Sequence, residues 1–165
     1  MKYVVFEPTK PEAVEFIKDL IQDKVVYDLG AGNGSFGLAM KPYAKRVVAV
    51  EIDQLLASDC RYRNLETIQE NFMKVSVSEA EVIFLFLNLI GTYAITKKLQ
   101  EENWHGTVIS HYYPLQNSLD DLIKPDKVID VVVDGDRFPF LIYNIISKGT
   151  PGGASGAGGS LGYIK

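Results

Sequence analysis

From position 28 the chain reads Asp-Leu-Gly-Ala-Gly-Asn-Gly, so Asp28, Gly30, Gly32 and Gly34 alternate with single residues. Glu51 then closes the apolar run Val-Val-Ala-Val that follows a helix-length later. Glycines this close together let a backbone turn tightly and let a ligand approach its amides. A Gly-x-Gly-x-x-Gly dinucleotide fingerprint needs its third glycine at position 35, where Ser35 stands. A carboxylate at Asp28 would also oppose a pyrophosphate, which helix N-termini attract. It would favour an amino group and a sulfonium, so the pattern points to S-adenosylmethionine rather than NAD. Glu51 can accept hydrogen bonds from both hydroxyls of a ribose, which either cofactor contains.

Downstream, Asn71 and Phe72 can meet the edge and the face of an adenine, with a turn cap and a core ring as their plainer alternatives. A methyl acceptor should enter over the ends of the fourth and fifth strands. Leu87 and Asn88 can turn carbonyls toward an amine there, and Ser110, His111, Tyr112 and Tyr113 can line the entrance. Aromatic walls suit an ammonium or methylammonium through cation–π attraction. Asn88, His111 and Tyr112 are therefore the candidate catalytic residues, although none of them stands out as a general base.

The elements that must position these residues alternate in period. Thr9 and Glu12 have the spacing of a capping box, which predicts a helix burying Ala13, Val14, Ile17, Leu20 and Ile21. Strand "KVVYDLG" follows, then helix "SFGLAMKPYA" ended by Pro42, strand "RVVAVEI", and a helix capped by Asp53 and running to Tyr62. A weaker strand is expected near "TIQENF", and "EVIFLFLNLI" reads as a central strand buried on both faces. Helix "TYAITKKLQEEN" and strand "GTVISHYY" come next. "KVIDVVV", the turn "DGDR" and "FPFLIYNII" form a closing hairpin. The pattern is an α/β doubly wound, mostly parallel sheet of seven strands with a C-terminal antiparallel hairpin.

At 165 residues, 47% hydrophobic and 23% charged, the chain has the length and composition of one globular domain, set here at 1–147. Residues 148–165 are dominated by glycine and read as a flexible tail, with an appended, non-native extension as an alternative origin. A net charge of −4 argues against general affinity for nucleic acid. No apolar run reaches membrane-spanning length and the first residues lack a signal-peptide core, so a cytoplasmic protein without membrane insertion is expected. Cys60 is the single cysteine, which excludes an intramolecular disulfide, and with only His105 and His111 beside it no metal site is expected.

Taken together, "DLGAGNG", "VVAVEID" and "ENF" resemble the class I, Rossmann-like S-adenosylmethionine-dependent methyltransferases. "VVFEPTKPEAVEFI" is similar to the Phe-x-Pro-Thr-Pro lead-in of the small archaeal protein lysine methyltransferases and their mitochondrial relatives. "NFMKVSVSEAEVIFLFLNLI" and "GTVISHYYPL" resemble segments of the same family. The resemblance spans residues 4–115, more weakly to 146. It implies S-adenosylmethionine as cofactor, held by Thr9, Asp28, Gly30, Ala31, Gly32, Gly34, Glu51, Ile52, Asn71, Phe72 and Leu87. It also implies a protein lysine as acceptor beside Asn88, His111 and Tyr112. Glu7 and Lys10 interrupt the lead-in, Asn71 stands where many methyltransferases carry an acid, and "LNLIG" lacks the family's asparagine-threonine stretch. Base methyltransferases carry Asn- or Asp-Pro-Pro-aromatic after the fourth strand, of which "NLIG" keeps only the asparagine. Methylation of nucleic acid or of another amine is thus the second expectation, and a cofactor-binding module without catalysis the third.

If residues 149–165 are a tail, deleting them shifts the thermal unfolding midpoint by less than about 2 °C, the scale of a surface change. A larger drop in a melting experiment would show that the segment packs on the domain.

Overall fold

The computed structural model describes residues 8–146, so the lead-in before Pro8 and the proposed tail lie outside the described residues. Seven strands form one sheet in the order β3-β2-β1-β4-β5-β9-β8. They are β1 (Val25–Leu29), β2 (Arg46–Val50), β3 (Glu66–Ile68), β4 (Val82–Leu85), β5 (Gly106–His111), β8 (Lys127–Val133) and β9 (Asp136–Ile145). Strands β1 to β5 pair in parallel, and β9 runs antiparallel to both β5 and β8. The helices are α1 (Lys18–Ile21), α2 (Ser35–Met40), α3 (Gln54–Tyr62) and α4 (Leu89–Glu101). The small hairpin β6 (Gln116–Ser118) and β7 (Asp121–Leu122) bridges β5 and β8.

The sheet separates two hydrophobic layers. Tyr27, Leu29, Ile83 and Leu85 face one of them with Ile95 and Leu99 of α4, while Val26, Val82 and Phe84 face the other with Ile17, Phe36 and Met40. Successive residues of β1 and β4 are thus buried on opposite sides, which is why these strands read as unbroken apolar runs rather than alternating ones. At the closing hairpin, Asp134 and Gly135 both take left-handed φ, 51° and 83°, the geometry a two-residue turn requires to match strand twist. The return strand is inserted between β5 and β8, leaving β8 as the sheet edge.

Three expectations are corrected. No capping box forms. Thr9 turns its hydroxyl to His111, and Lys10 precedes a short 3-10 segment, Pro11–Phe16, with no side-chain cap. The expected long helix breaks at Ile17 (φ −126°), although Ala13, Val14, Ile17 and Ile21 are buried as anticipated. Strand β4 ends at Leu85, because Asn88 caps α4, which begins at Leu89, three residues before the expected helix. The β6–β7 hairpin, whose polar sequence "QNSLDDL" carries no period, was not anticipated. No helix among the described residues is long and apolar enough to cross a membrane.

Phe140 is fully buried, with its ring 5.9 Å from Phe84, 6.2 Å from Phe36 and 5.3 Å from His111. Phe140→Ala should cost about 3–5 kcal/mol in urea unfolding. A loss under about 1 kcal/mol would mean the ring does not anchor β9 to the core.

Candidate functional site

The glycine turn leaves β1 at Leu29 and is stitched to β2. The amides of Gly30 and Ala31 both donate to the carbonyl of Val50, at 2.8 and 3.0 Å. Gly30 has φ 77°, so the turn itself requires glycine, and the tip of Leu87 from the loop that follows β4 lies over it, 2.9 Å from where a Cβ would stand. Glu51 holds the turn from the other side. One carboxylate oxygen accepts the Gly32 amide at 2.8 Å and the other the Asp53 amide at 2.9 Å. A carboxylate has about four acceptor positions, so Glu51 keeps capacity for hydroxyls. Asp53 caps α3 through the Leu56 amide, and the Cys60 thiol of that helix reaches the Gly32 carbonyl at 3.2 Å.

Asp28 lies beneath this turn, only 3% exposed. No donor among the described residues reaches its carboxylate. Burial, and secondarily the charge of Glu51, push its pKa up from 3.8 to about 7. It borders a small void of about 20 Å³ shared with Thr9, Gly30, Ser35 and Phe86. The Ser35 hydroxyl is also buried, with no partner among the described residues. A buried acceptor and an orphaned hydroxyl beside left-handed glycines fit the ammonium end of S-adenosylmethionine. Glu51 can then hold the ribose, Ile52, 63% exposed, can cover the adenosyl group, and Leu87 can close over Gly30.

Across Pro8 and Phe86, which border both spaces, opens a groove of about 550 Å³. Its walls carry His111, Tyr112, Tyr113 and Phe138. His111 is buried, its Nδ1 2.7 Å from the Thr9 hydroxyl, and its ring lies 4.1 Å from Phe86 and 4.4 Å from Phe138. Burial lowers its pKa to about 4, so the ring is neutral at neutral pH. Tyr112 takes φ 73°, a strained value for a non-glycine residue, and its amide donates to Pro139 at 2.9 Å.

Thr9, Asp28, the glycine turn, Glu51 and Leu87 are therefore brought together, and His111 and Tyr112 line the groove beyond Pro8 and Phe86. Four candidates sit differently. Asn88 caps α4, its side-chain oxygen accepting the Gly91 amide and its carbonyl the Thr92 amide, each at 2.9 Å, which leaves neither turned to an amine. The Asn71 side chain accepts the Met73 amide at 2.9 Å as a turn cap, beyond the end of β3, and Phe72 packs half-buried on the core. The buried Ser110 hydroxyl turns to the Tyr113 carbonyl rather than lining the groove. Pro8, Phe86 and Phe138 were not singled out. Phe86 is hidden inside the apolar run read as strand, and Phe138 arrives only through the pairing of His111 with Phe140.

Another cavity, of about 530 Å³, lies at the opposite ends of β1, β4 and β5 beside Trp104. Its acids are engaged: Glu79 with Arg46, Glu81 with the Val25 amide and Glu102 with Lys98. Among the described residues no group of three or more His, Cys, Asp or Glu is placed to hold a metal ion.

Because the folded state raises the pKa of Asp28, its protonated form is favoured on folding. Its cost to stability is absent below pH 3.8, grows up to about pH 7 and is full above that. At pH 8, Asp28→Asn should therefore stabilise the cofactor-free protein, by on the order of 4 kcal/mol at most. The same change should weaken S-adenosylmethionine binding. Wild-type affinity should rise from pH 6 to pH 8 as Asp28 ionises, and the variant should lack that slope. Calorimetric titration and thermal melts across this range test both, and identical slopes would remove Asp28 from the site.

Known proteins resemble this chain in sequence and in fold. The profile of the ribosomal RNA adenine dimethylase family matches residues 13–108, more than half of the chain. A protein of Saccharolobus islandicus (strain REY15A) named protein-lysine N-methyltransferase is 30% identical over 149 residues, covering 79% of this chain and 89% of its own. Among solved structures, an RNA methyltransferase from Salinibacter ruber, in complex with S-adenosyl-L-homocysteine, superposes with a TM-score of 0.70 at 21% identity, over 89% of this chain and 97% of that one. A putative methyltransferase of Escherichia coli follows at 0.57 and 15%, over 79% and 83%. Through the family profile and the glycine turn it spans, the chain belongs to the ribosomal RNA adenine dimethylase family of class I, Rossmann-like methyltransferases, whose cofactor is S-adenosylmethionine.

Proposed function

We propose that this methyltransferase acts on lysine side chains of proteins. The observation that carries the reading is the character of the acceptor groove. Its walls are aromatic, and the cations at its mouth already face carboxylates, Lys10 with Asp136 at 2.8 Å and Arg137 with Asp130 at 3.4 Å. A nucleic-acid backbone needs cations free to displace its counterions, whereas an ammonium needs ring faces and no excess positive charge. The Saccharolobus relative, by its name a lysine enzyme, supports the same acceptor.

Bound S-adenosylmethionine supplies a methyl activated by its sulfonium. The chain's own residues bind, orient and exclude water. Asp28 and the glycine turn hold the cofactor from one side, and Pro8 and Phe86 separate that space from the groove. Aromatic walls strip water from an entering ammonium and offset part of that cost through their ring faces, and the amine attacks once its proton has passed to solvent. His111, neutral and bonded to Thr9, holds the wall in place. Alignment of the two reactants is where most of the rate should come from, as in other near-attack geometries.

The family profile favours a second reading, transfer to an adenine amine in RNA. Incubating the protein with a cell lysate and methyl-labelled S-adenosylmethionine separates the two. Label that resists ribonuclease and is recovered on lysine Nζ is expected. Label on RNA would establish the second reading, and cofactor binding with no transfer at all would leave a binding module.

A further inference from the structure

Resting on the lysine reading, we propose that the β6–β7 hairpin and the first turn of α4 form the docking surface for the protein substrate. The segment taken there carries an apolar side chain and a further lysine or arginine close to the lysine that receives the methyl. Four large apolar side chains stand in solvent: Leu119 (69% exposed) and Leu122 (55%) on the hairpin, Leu89 (42%) and Ile90 (72%) on the helix. Gln116 joins the two groups. It is the cross-strand partner of Leu122, so their side chains share one face of the hairpin, and its side-chain amide donates to the carbonyl of Leu89.

A hairpin with strands this short is marginal by itself, yet this one is fastened by a buried polar network. The Gln116 side chain also donates to the Thr92 hydroxyl at 3.1 Å, and its backbone amide donates to the Thr96 hydroxyl at 3.2 Å. That hydroxyl donates in turn to the Thr92 carbonyl at 2.7 Å. Gln116, Thr92 and Thr96 are all fully enclosed. A satisfied polar network in the interior holds a single arrangement, so the leucines are presented in fixed positions. An apolar patch edged by polar groups marks an interaction surface.

Charge decides what covers the patch. Asp120 and Asp121 stand between the two leucines, Asp121 meeting the Asn117 amide at 3.3 Å. Among the described residues no cation, Lys124 included, comes within ion-pair distance of either. These carboxylates repel a nucleic-acid backbone and an anionic lipid surface, and hairpin-to-hairpin pairing of two copies would set them against each other. A lysine-bearing segment is cationic, and its basic flank complements them. Position favours the same occupant. Tyr113 lines the groove, and Gln116 follows three residues later, at most about 10 Å away. Leu115 and Ile123, which flank the hairpin, pack in the layer with α4, whereas Phe138 packs in the other layer. A segment that reaches both crosses the end of β5, and in extended form its side chains about three to five residues from the target lysine lie over the leucines.

The test measures methyl transfer to glycine–serine peptides with one central lysine. One peptide carries leucine and arginine on both sides at that spacing, a second leucine and glutamate, and a third serine alone. Nα-acetyl-lysine methylamide serves as the acceptor too small to reach the hairpin. The leucine–arginine peptide should exceed the serine peptide in kcat/KM by about five- to tenfold, with the leucine–glutamate peptide below it. Leu119→Ser with Leu122→Ser, and separately Asp120→Asn with Asp121→Asn, should each remove most of that advantage. Both should lower label on lysate protein by a similar factor, while cofactor affinity and the rate on Nα-acetyl-lysine methylamide stay unchanged. Equal kcat/KM for the three peptides, or lysate labelling unchanged in both variants, would overturn the inference and leave the lysine reading intact. So would a wild-type dimer in sedimentation that the leucine variant abolishes, since the surface would then belong to a second copy. Label on RNA with none on any lysine would remove the lysine reading itself.

Discussion

Keeping Asp28 buried constrains everything around it. An ionised carboxylate away from water is costly unless something positive meets it, and among the described residues its neighbours include a second carboxylate, Glu51, and an uncharged hydroxyl. The fold tolerates this at the end of a central strand because the parallel sheet and its two apolar layers hold β1 rigidly between β2 and β4. Under the proposed reading, an ammonium bound there would relieve an unfavourable state as well as add contacts, so part of its affinity would originate in the ligand-free protein.

Glu51 shows how the same residue type serves a different end nearby. Its two oxygens tie the glycine turn to the start of α3, so it shapes the site whether or not a ribose is bound. Cys60 adds a third tie to the same turn. The cofactor side is consequently built from short-range bonds between neighbouring strand ends. The acceptor side is assembled by long-range ones: Thr9 meets His111 across 102 residues, and the wall is completed from β9.

That contrast accounts for what could be read from the amino-acid sequence. The glycine turn, Asp28, Glu51 and the Asp53 cap lie within one strand–helix–strand unit, where spacing translates directly into position. The parallel strands followed from alternating periods and the closing hairpin from the Asp-Gly turn, whereas the insertion of β9 between β5 and β8 carries no local signal. Asn88 and Asn71 were legible as polar residues at strand ends, yet a side chain that can cap a helix or a turn is drawn to the nearest free amides, and both were. Phe86 and Phe138 stayed hidden because an aromatic residue that ends a buried strand has the same local pattern as one that lines a groove. Thr9 was misread for a similar reason. Its spacing to Glu12 matched a cap, but the partner that claimed its hydroxyl is on another strand.

Insertion of β9 between β5 and β8 has a consequence in time. A chain emerging from the ribosome presents the glycine turn, Glu51 and Leu87 well before the strand that carries Phe138 and Phe140. Until that last strand slides in beside β5, its partner edge is open and one wall of the groove is missing. A domain folds as a unit, so the groove is complete only once that last long strand has paired, and the hairpin that closes the sheet closes the groove with it.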